Sequence, residues 1–205
     1  MKTLDIHHIS YYLIEYFNER GMSITHLKLQ KLLYYIKCWG LVSGVYHLSG
    51  DFRAWKNGPV NEEVYDRYKR FGGDHIEQEN HVFPINDAHA NQIIDFVIES
   101  YAPYQAYTLS AMTHGELPWK NTPANEVITE EVIQNYYCNQ PFAKNFPLKS
   151  DKPYYPVYTD FLASFVLDMD ENDPASDVHF SSFEEYKRYL KESQPHLDKL
   201  IQRFA

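Results

Sequence analysis

The feature that most constrains this fold is a helical spacing of apolar residues, interrupted at short intervals by capping and stop residues. Apolar side chains three or four positions apart share one face of a helix, so each such stretch predicts an amphipathic helix. In residues 5–20, Asp5 is placed to cap the first turn and Gly21 to end the helix. The same pattern predicts helices at about 25–42, 61–71, 87–101, 106–114 and from 129 onwards. The predicted fold class is therefore mainly α, a compact helical domain.

The second predicted helix has a clear division of residue types. Its apolar stripe consists of Leu29, Leu32, Leu33, Ile36 and Trp39, and Gly44 is placed to stop it. The positions between them are assigned to a polar, solvent-facing side, which holds Lys28, Gln30, Lys31 and Lys37. For the helix from residue 129 the predicted buried residues are Val132, Ile133 and Tyr136.

Two regions depart from the helical pattern. Residues 45–60 contain Gly50, Gly58 and Pro59, which predicts an irregular insertion with a short β-hairpin. Four prolines within residues 139–158 exclude a continuous helix there and predict an arm packed along the domain. The arm is followed by an acidic loop at 168–177, a helix capped by Ser182 and Glu185, and a last helix after Pro195. We therefore predict a helical domain at 1–140, with a Pro- and Tyr-rich arm and a C-terminal helical extension at 141–205 packed on it.

Charge and composition exclude several classes of protein. The 205 residues carry a net charge of −9, from 19 Lys and Arg against 28 Asp and Glu, which argues against a nucleic-acid partner. There is no apolar run of the roughly 20 residues that a membrane helix needs, and no secretory signal, so we expect no membrane partner. The 2 cysteines are too few for a disulfide framework, and a cytoplasmic location follows. Aromatic residues make up 16% of the chain, which fits either a Tyr-rich core or a protein-binding face.

The common catalytic and metal-binding patterns are absent. There is no phosphate-binding glycine loop, no G-x-S-x-G motif and no H-E-x-x-H motif. The adjacent His7 and His8 point about 100° apart on a helix, and the calcium-like stretch from Asp168 has Asp173 where a calcium loop needs glycine. Cys38 is predicted to be a buried thiol rather than a nucleophile paired with a histidine. We predict that the protein is not an enzyme and has no cofactor or metal.

A helix-turn-helix remains an alternative for residues 19–35. The turn at Gly21 leads into a helix that begins with Lys28, Gln30 and Lys31, the residue types of a recognition helix. This interpretation would make the protein a DNA-binding autoregulator, although the charge of the whole chain opposes it.

Four motifs, in order, resemble the Panacea domain family, the SocA-like antitoxins that are often described as phage-associated. They are LKLQKLLYY at 27–35, AWKNGPV at 54–60, VY followed by YKRFG at 64–72, and LSAMTH at 109–114 with PWK at 118–120. The resemblance covers about residues 5–140. One position departs from it, because the family often has an acid directly before Pro-Trp, whereas here Leu117 separates Glu116 from Pro118.

The resemblance implies an antitoxin that neutralises a cognate toxin, encoded nearby, by direct protein–protein binding. The alternative that it also implies is an adaptor that delivers the toxin to an ATP-dependent protease. Self-association stays open, and the acidic chain suggests a basic toxin. The candidate partner-binding residues, from the motifs and the arm, are Trp55, Lys56, Pro59, Tyr65, Tyr68, His114, Trp119, Tyr154, Tyr155 and Tyr158. Structural anchoring is the competing interpretation for Trp55 and Trp119, and helix capping for His114.

Overall fold

One helix, His26–Ser43, lies at the centre of the fold. A computed structural model describes residues 1–77, 85–149, 151–157 and 179–192 of the chain. The helix begins after Thr25, whose hydroxyl accepts a hydrogen bond from the Lys28 amide, and ends at Gly44 in the left-handed conformation. Every residue from Leu29 to Leu41 is buried. The chain divides into two compact units, Met1–Asn139 and Gln140–Ala205, which are described separately.

The elements of the first unit surround this central helix. In chain order they are β1 (Lys2–Leu4), α1 (Ile6–Glu19), α2 (His26–Ser43), β2 (Tyr46–Leu48), β3 (Arg53–Trp55), β4 (Gly58–Val60), α3 (Glu62–Tyr68), α4 (Ala88–Tyr101), α5 (Ala106–Gly115), α6 (Leu117–Lys120) and α7 (Glu130–Tyr137). A turn of 3₁₀ helix, Lys69–Phe71, extends α3. Helices α1, α3, α4, α5 and α7 and strands β2 and β4 all contact α2. The mainly helical fold class is confirmed.

The strands form two small sheets. Strand β1 pairs in parallel with β2, so that Lys2 lies opposite Tyr46 and Leu4 opposite Leu48. Strands β3 and β4 form the predicted hairpin, with Trp55 opposite Gly58. The outer edge of β3 is occupied by the chain at 125–128, which exchanges backbone hydrogen bonds with Phe52 and Ala54. Strand β3 therefore has a hydrogen-bonded neighbour on each of its two edges.

Burial contradicts two sequence predictions. The assignment of Gln30, Lys31 and Lys37 to a solvent-facing side of α2 is wrong, because all three are buried among the surrounding elements. In α7 the buried residues are Ile133 and Tyr137, whereas Val132 is exposed and Tyr136 is partly exposed. The short helix α6 and the β1–β2 pair were not predicted.

The second unit is described only in parts. A 3₁₀ turn at Pro141–Asn145 replaces a regular helix, as its prolines predict, and Tyr154 pairs with Phe180 through two backbone hydrogen bonds of 2.8 Å. Residues 183–192 are helical, and the Ser182 hydroxyl accepts from the Glu185 amide. The acidic loop at 168–177 and the helix after Pro195 lie outside the described residues.

The start of α1 provides a test of the capping argument. The Asp5 carboxylate accepts a hydrogen bond of 2.9 Å from the His8 amide. Asp5→Ala removes this acceptor and is expected to lower the free energy of unfolding by about 1 kcal/mol, measured by urea denaturation. Asp5→Ser keeps an acceptor oxygen and should unfold close to the parent protein. Equal stability of the two variants would show that the cap contributes nothing.

Candidate partner-binding face

Four side chains hold the β3–β4 turn through its carbonyl groups. Lys31 Nζ donates to Pro59 O at 2.8 Å, and Ser110 Oγ donates to Asn57 O at 2.9 Å. His114 Nε2 lies 3.1 Å from Lys56 O, and Trp119 Nε1 donates to Trp55 O at 3.0 Å. Because a carbonyl only accepts, the His114 contact requires the ring proton on Nε2. We call these four residues, Lys31, Ser110, His114 and Trp119, the clamp residues.

The turn also depends on Gly58. Its φ of +94° lies in the region that side chains disfavour, and a Cβ there would come within 2.6 Å of Thr113 Oγ1 and 2.7 Å of Lys31 Nζ. The backbone of the hairpin therefore approaches α2 and α5 as closely as it can. This close approach allows Lys31 to reach the Pro59 carbonyl from inside the domain.

Lys31 is a buried titratable side chain beneath the turn. Burial lowers its pKa to about 7, and no carboxylate pairs with it in the described part of the chain. Its charge reaches two nearby imidazoles. Burial lowers the pKa of His26, and the Lys31 charge adds to that effect. Burial also lowers the pKa of His114, with a smaller contribution from Lys31 and an opposing one from the hydrogen bond to Lys56.

Aromatic side chains cover the outside of the same hairpin. The rings of Trp55 and Tyr65 meet edge to face at 4.9 Å between centroids, and Tyr65 also contacts the His26 ring at 5.0 Å. On the other side of the turn, Trp119 packs on His114 at 4.2 Å. All five of these residues are partly exposed. They form a surface of rings with polar tips, the residue type that dominates protein interfaces.

Tyr107 adds the most exposed aromatic ring in this neighbourhood. It precedes Ser110 by three positions and His114 by seven, so it lies on the side of α5 that faces the hairpin. Its exposed fraction is 84%, the highest among the large hydrophobic residues of the described chain. We define the hairpin face as Trp55, Lys56, Tyr65, Tyr107, His114 and Trp119.

A comparison of the chain with protein-family models identifies the family that this region resembles. Residues 29–120 match the family model described as antitoxin SocA-like, Panacea domain. The resemblance to the Panacea family is confirmed over these residues. The matched stretch runs from α2 to α6 and contains all four clamp residues and both strands of the hairpin. Neither the curated proteins nor the solved structures gave a match to the chain.

The structure brings together half of the predicted site residues. Trp55, Lys56, Tyr65, His114 and Trp119 share the hairpin face within the matched stretch, with Lys56 exposed at the turn. Two others in this region, Pro59 and Tyr68, are buried and have little surface to offer a partner. In the second unit Tyr154 is buried and Tyr155 is partly exposed. Tyr158 lies outside the described residues.

Sequence reasoning missed Lys31, Ser110, Thr113 and Tyr107 as parts of this arrangement. For Lys31, Ser110 and Thr113 the available signal was their position inside the motifs at 27–35 and 109–114. Tyr107 was detectable as a large aromatic residue outside the apolar stripe of its helix.

A second cluster of interest lies around Glu116, just before α6. Its carboxylate accepts hydrogen bonds from the hydroxyls of Tyr35, at 3.1 Å, and Tyr137, at 2.5 Å. Burial raises the pKa of Glu116 to about 7, and the bonds from Tyr137 and Tyr35 oppose that rise. The Cys38 thiol is buried in the same region, and its pKa is raised by burial and by the Glu116 charge. The thiol is therefore poorly suited to nucleophilic chemistry, as predicted.

The other buried lysine of α2 is fully paired. Lys37 Nζ lies 2.9 Å from Glu130, and it donates to the carbonyls of Leu48 and Gly50 at 2.9 Å each. His47 contacts the same carboxylate. This arrangement fixes the chain after β2 against the first turn of α7, which is a structural role.

The DNA-reading alternative is wrong for the residues on which it was based. Gln30 is buried and exchanges hydrogen bonds with the Asn61 backbone, and Lys31 is buried under the hairpin. Lys28 Nζ donates to the Ala102 carbonyl at 2.7 Å. The side chains needed to read base edges are thus occupied within the domain.

Metal binding and membrane crossing were both tested on the described residues. No three metal-ligating side chains come together among them, and the Asp168 loop lies outside them. His7 contacts Glu63 at 3.1 Å. None of the helices in the described ranges has the length and apolar character to cross a bilayer.

Proposed function

We propose that this protein is an antitoxin that binds its cognate toxin through the hairpin face and blocks it by direct contact. The observation that carries this proposal is the match of residues 29–120 to the SocA-like antitoxin domain, together with the aromatic surface found in that same region. The toxin would be the product of the neighbouring gene, and neutralisation would take place in the cytoplasm without catalysis.

The arrangement of the hairpin suits tight binding. A loop that must become ordered on binding loses affinity, because the cost of ordering is subtracted from the contacts. Here the clamp residues fix four carbonyls of the turn before any partner arrives. The partly exposed ring of Trp55 is then presented from a backbone that needs little rearrangement, and the exposed ring of Tyr107 is presented from helix α5.

The first test is co-expression with the neighbouring open reading frame, scored by growth and by co-purification. We expect the neighbour to be toxic alone, and growth to return with formation of a stoichiometric complex. Recovery of growth with loss of the toxin protein, only while an ATP-dependent protease is present, would favour the adaptor. A neighbour that is harmless alone would remove the main support for the proposal.

The surface is tested by Tyr107→Ala. Because Tyr107 is 84% exposed, its removal should leave the thermal midpoint within about 2 °C of the parent protein. We expect the affinity for the toxin to fall by about tenfold or more, measured by calorimetry with purified proteins.

The matched control is Met22→Ala, which removes an exposed apolar side chain from the turn after α1. It should bind the toxin like the parent protein. If Tyr107→Ala also binds like the parent protein, α5 is not part of the interface.

A further inference from the structure

A single residue, Glu116, joins the two helices that supply His114 and Trp119 to the clamp. It follows the last residue of α5 and precedes the first residue of α6, and its backbone is extended, with a φ of −87° and a ψ of 140°. His114 lies near the end of α5, and Trp119 lies in α6. The position of Glu116 therefore bears on both of the clamp residues that hold the carbonyls of Trp55 and Lys56.

The side chain of Glu116 is bonded to two further helices. Tyr35 of α2 donates to one carboxylate oxygen at 3.1 Å, and Tyr137 of α7 donates to the other at 2.5 Å. Both tyrosines are buried, and the Tyr35 ring stacks on Tyr101 at 4.0 Å between centroids. Hydrogen bonds to a carboxylate are stronger than those between neutral groups. The carboxylate is thus held by donors that are themselves fixed in the core.

Helix α6 depends on such attachments because it is short. It consists of Leu117–Lys120, in which Pro118 is buried, Leu117 is exposed and Trp119 is partly exposed. One turn of helix has little stability of its own, so its position is set by what it contacts. Helix α6 contacts α5 and α7, and the bond from Tyr137 to Glu116 joins the start of this turn directly to α7.

We propose that Glu116 is a positioning residue for the hairpin face, which fixes the junction of α5 and α6 so that His114 and Trp119 meet the carbonyls of the turn. Without the carboxylate, the junction loses its bonds to α2 and α7, and the Trp119 indole holds the Trp55 carbonyl less firmly. The hairpin is then less ordered before a partner arrives, which lowers affinity. The effect on binding rests on the proposed function, whereas the positioning is a property of the free protein.

The test follows hydrogen exchange of the tryptophan indole N–H groups by NMR in the isotope-labelled full chain. Trp119 Nε1 donates to the Trp55 carbonyl at 3.0 Å and reports on the clamp. Trp39 Nε1 donates to the Tyr101 hydroxyl at 2.8 Å and reports on opening of the core. In Glu116→Ala we expect the Trp119 indole to exchange about tenfold or more faster than in the parent protein, because local opening becomes easier. The Trp39 indole should stay within about threefold of the parent protein.

Glu116→Gln is the rescue variant, because its amide can accept from one tyrosine hydroxyl and donate to the other. Its Trp119 indole should exchange no more than about threefold faster than in the parent protein. Tyr12→Phe is the matched control, since it removes a hydroxyl-to-carboxylate bond, to Asp95, that joins α1 to α4. Any acceleration that it causes should be the same for the two indoles.

Equal acceleration of Trp119 and Trp39 in Glu116→Ala would show a general loss of stability and overturn the positioning role. Rapid Trp119 exchange in Glu116→Gln would overturn it as well.

The consequence for binding is measured by calorimetry with the purified toxin from the neighbouring gene, well below the thermal midpoints. The affinity of Glu116→Ala should fall by about tenfold, and that of Tyr12→Phe should match the parent protein. An unchanged affinity of Glu116→Ala would overturn the effect on the partner. If the indoles behave as expected but the parent protein binds no toxin, the positioning role stands and the proposed function fails.

Discussion

Gly58→Ala is expected to lower the free energy of unfolding by about 3 kcal/mol. A φ of +94° is strained for alanine, and the added Cβ would lie 2.6 Å from Thr113 Oγ1 and 2.7 Å from Lys31 Nζ. The clashes are relieved either if the Lys31 and Thr113 side chains turn aside, which breaks the bond between Lys31 and the Pro59 carbonyl, or if the hairpin moves away from α5 and α2. A movement of the hairpin also displaces Trp55 and Lys56 from the hairpin face. Chemical denaturation measures the stability, and binding to the toxin well below the thermal midpoint measures the displacement.

The control for this prediction is Gly73→Ala, because a Cβ at Gly73 meets nothing within 4 Å and its φ is not positive. It should change stability by about 0.5 kcal/mol at most. A double variant, Gly58→Ala with Thr113→Ala, removes one of the two clashes and should recover part of the loss. If Gly58→Ala is as stable as Gly73→Ala, the close approach of the turn is not a constraint.

Glu116→Gln is expected to change how stability depends on pH. Burial raises the pKa of Glu116 to about 7, so the folded protein holds this proton more tightly than the unfolded chain, where the pKa is about 4.3. The stabilisation from the bound proton is fully present below about pH 4 and is lost as the pH rises through 7. The parent protein should therefore lose about 2 kcal/mol from this group between about pH 5 and 8.

The glutamine variant does not titrate, and its amide can accept from one tyrosine hydroxyl and donate to the other. It should match the parent protein near pH 5 and be more stable by about 2 kcal/mol near pH 8, in denaturation curves at each pH. Glu126→Gln changes an exposed carboxylate and should keep the pH profile of the parent protein. A pH-independent difference between Glu116→Gln and the parent protein would contradict the assignment.

Local signals predicted the helices well. Asp5, Thr25, Asn61, Asp87 and Thr129 each cap a helix with the side chain, and each precedes an apolar stripe in the sequence. The hairpin was predicted from Gly58 and Pro59 for a similar reason. These features depend on neighbours within a few residues, so the sequence alone reveals them.

Features that depend on distant residues were not predictable in the same way. The pairing of residues 2–4 with 46–48 joins two three-residue strands, which are too short for a periodic pattern. Lys31 and Lys37 look like surface residues on α2, but other elements surround that helix, and the two side chains reach carbonyls of the hairpin and of the chain after β2. Long aliphatic stems make this burial tolerable when the ammonium group finds acceptors.

Half of the predicted site residues lie on the hairpin face. Motif resemblance selected Trp55, Lys56, Tyr65, His114 and Trp119, and the structure places them around one turn. It also selected Pro59 and Tyr68, which are buried, because a family motif mixes residues that support the fold with residues that reach the surface. Only the three-dimensional arrangement separates the two kinds.

The way the turn is held also bears on how such a protein can acquire new partners. At residues 55, 56 and 57 the clamp residues bind carbonyl oxygens, and a carbonyl oxygen is present whatever the side chain. Substitutions at these three positions can therefore change the shape and charge of the hairpin face while the supporting bonds stay in place. We expect a few point mutations on this constant backbone to change which proteins the hairpin face binds.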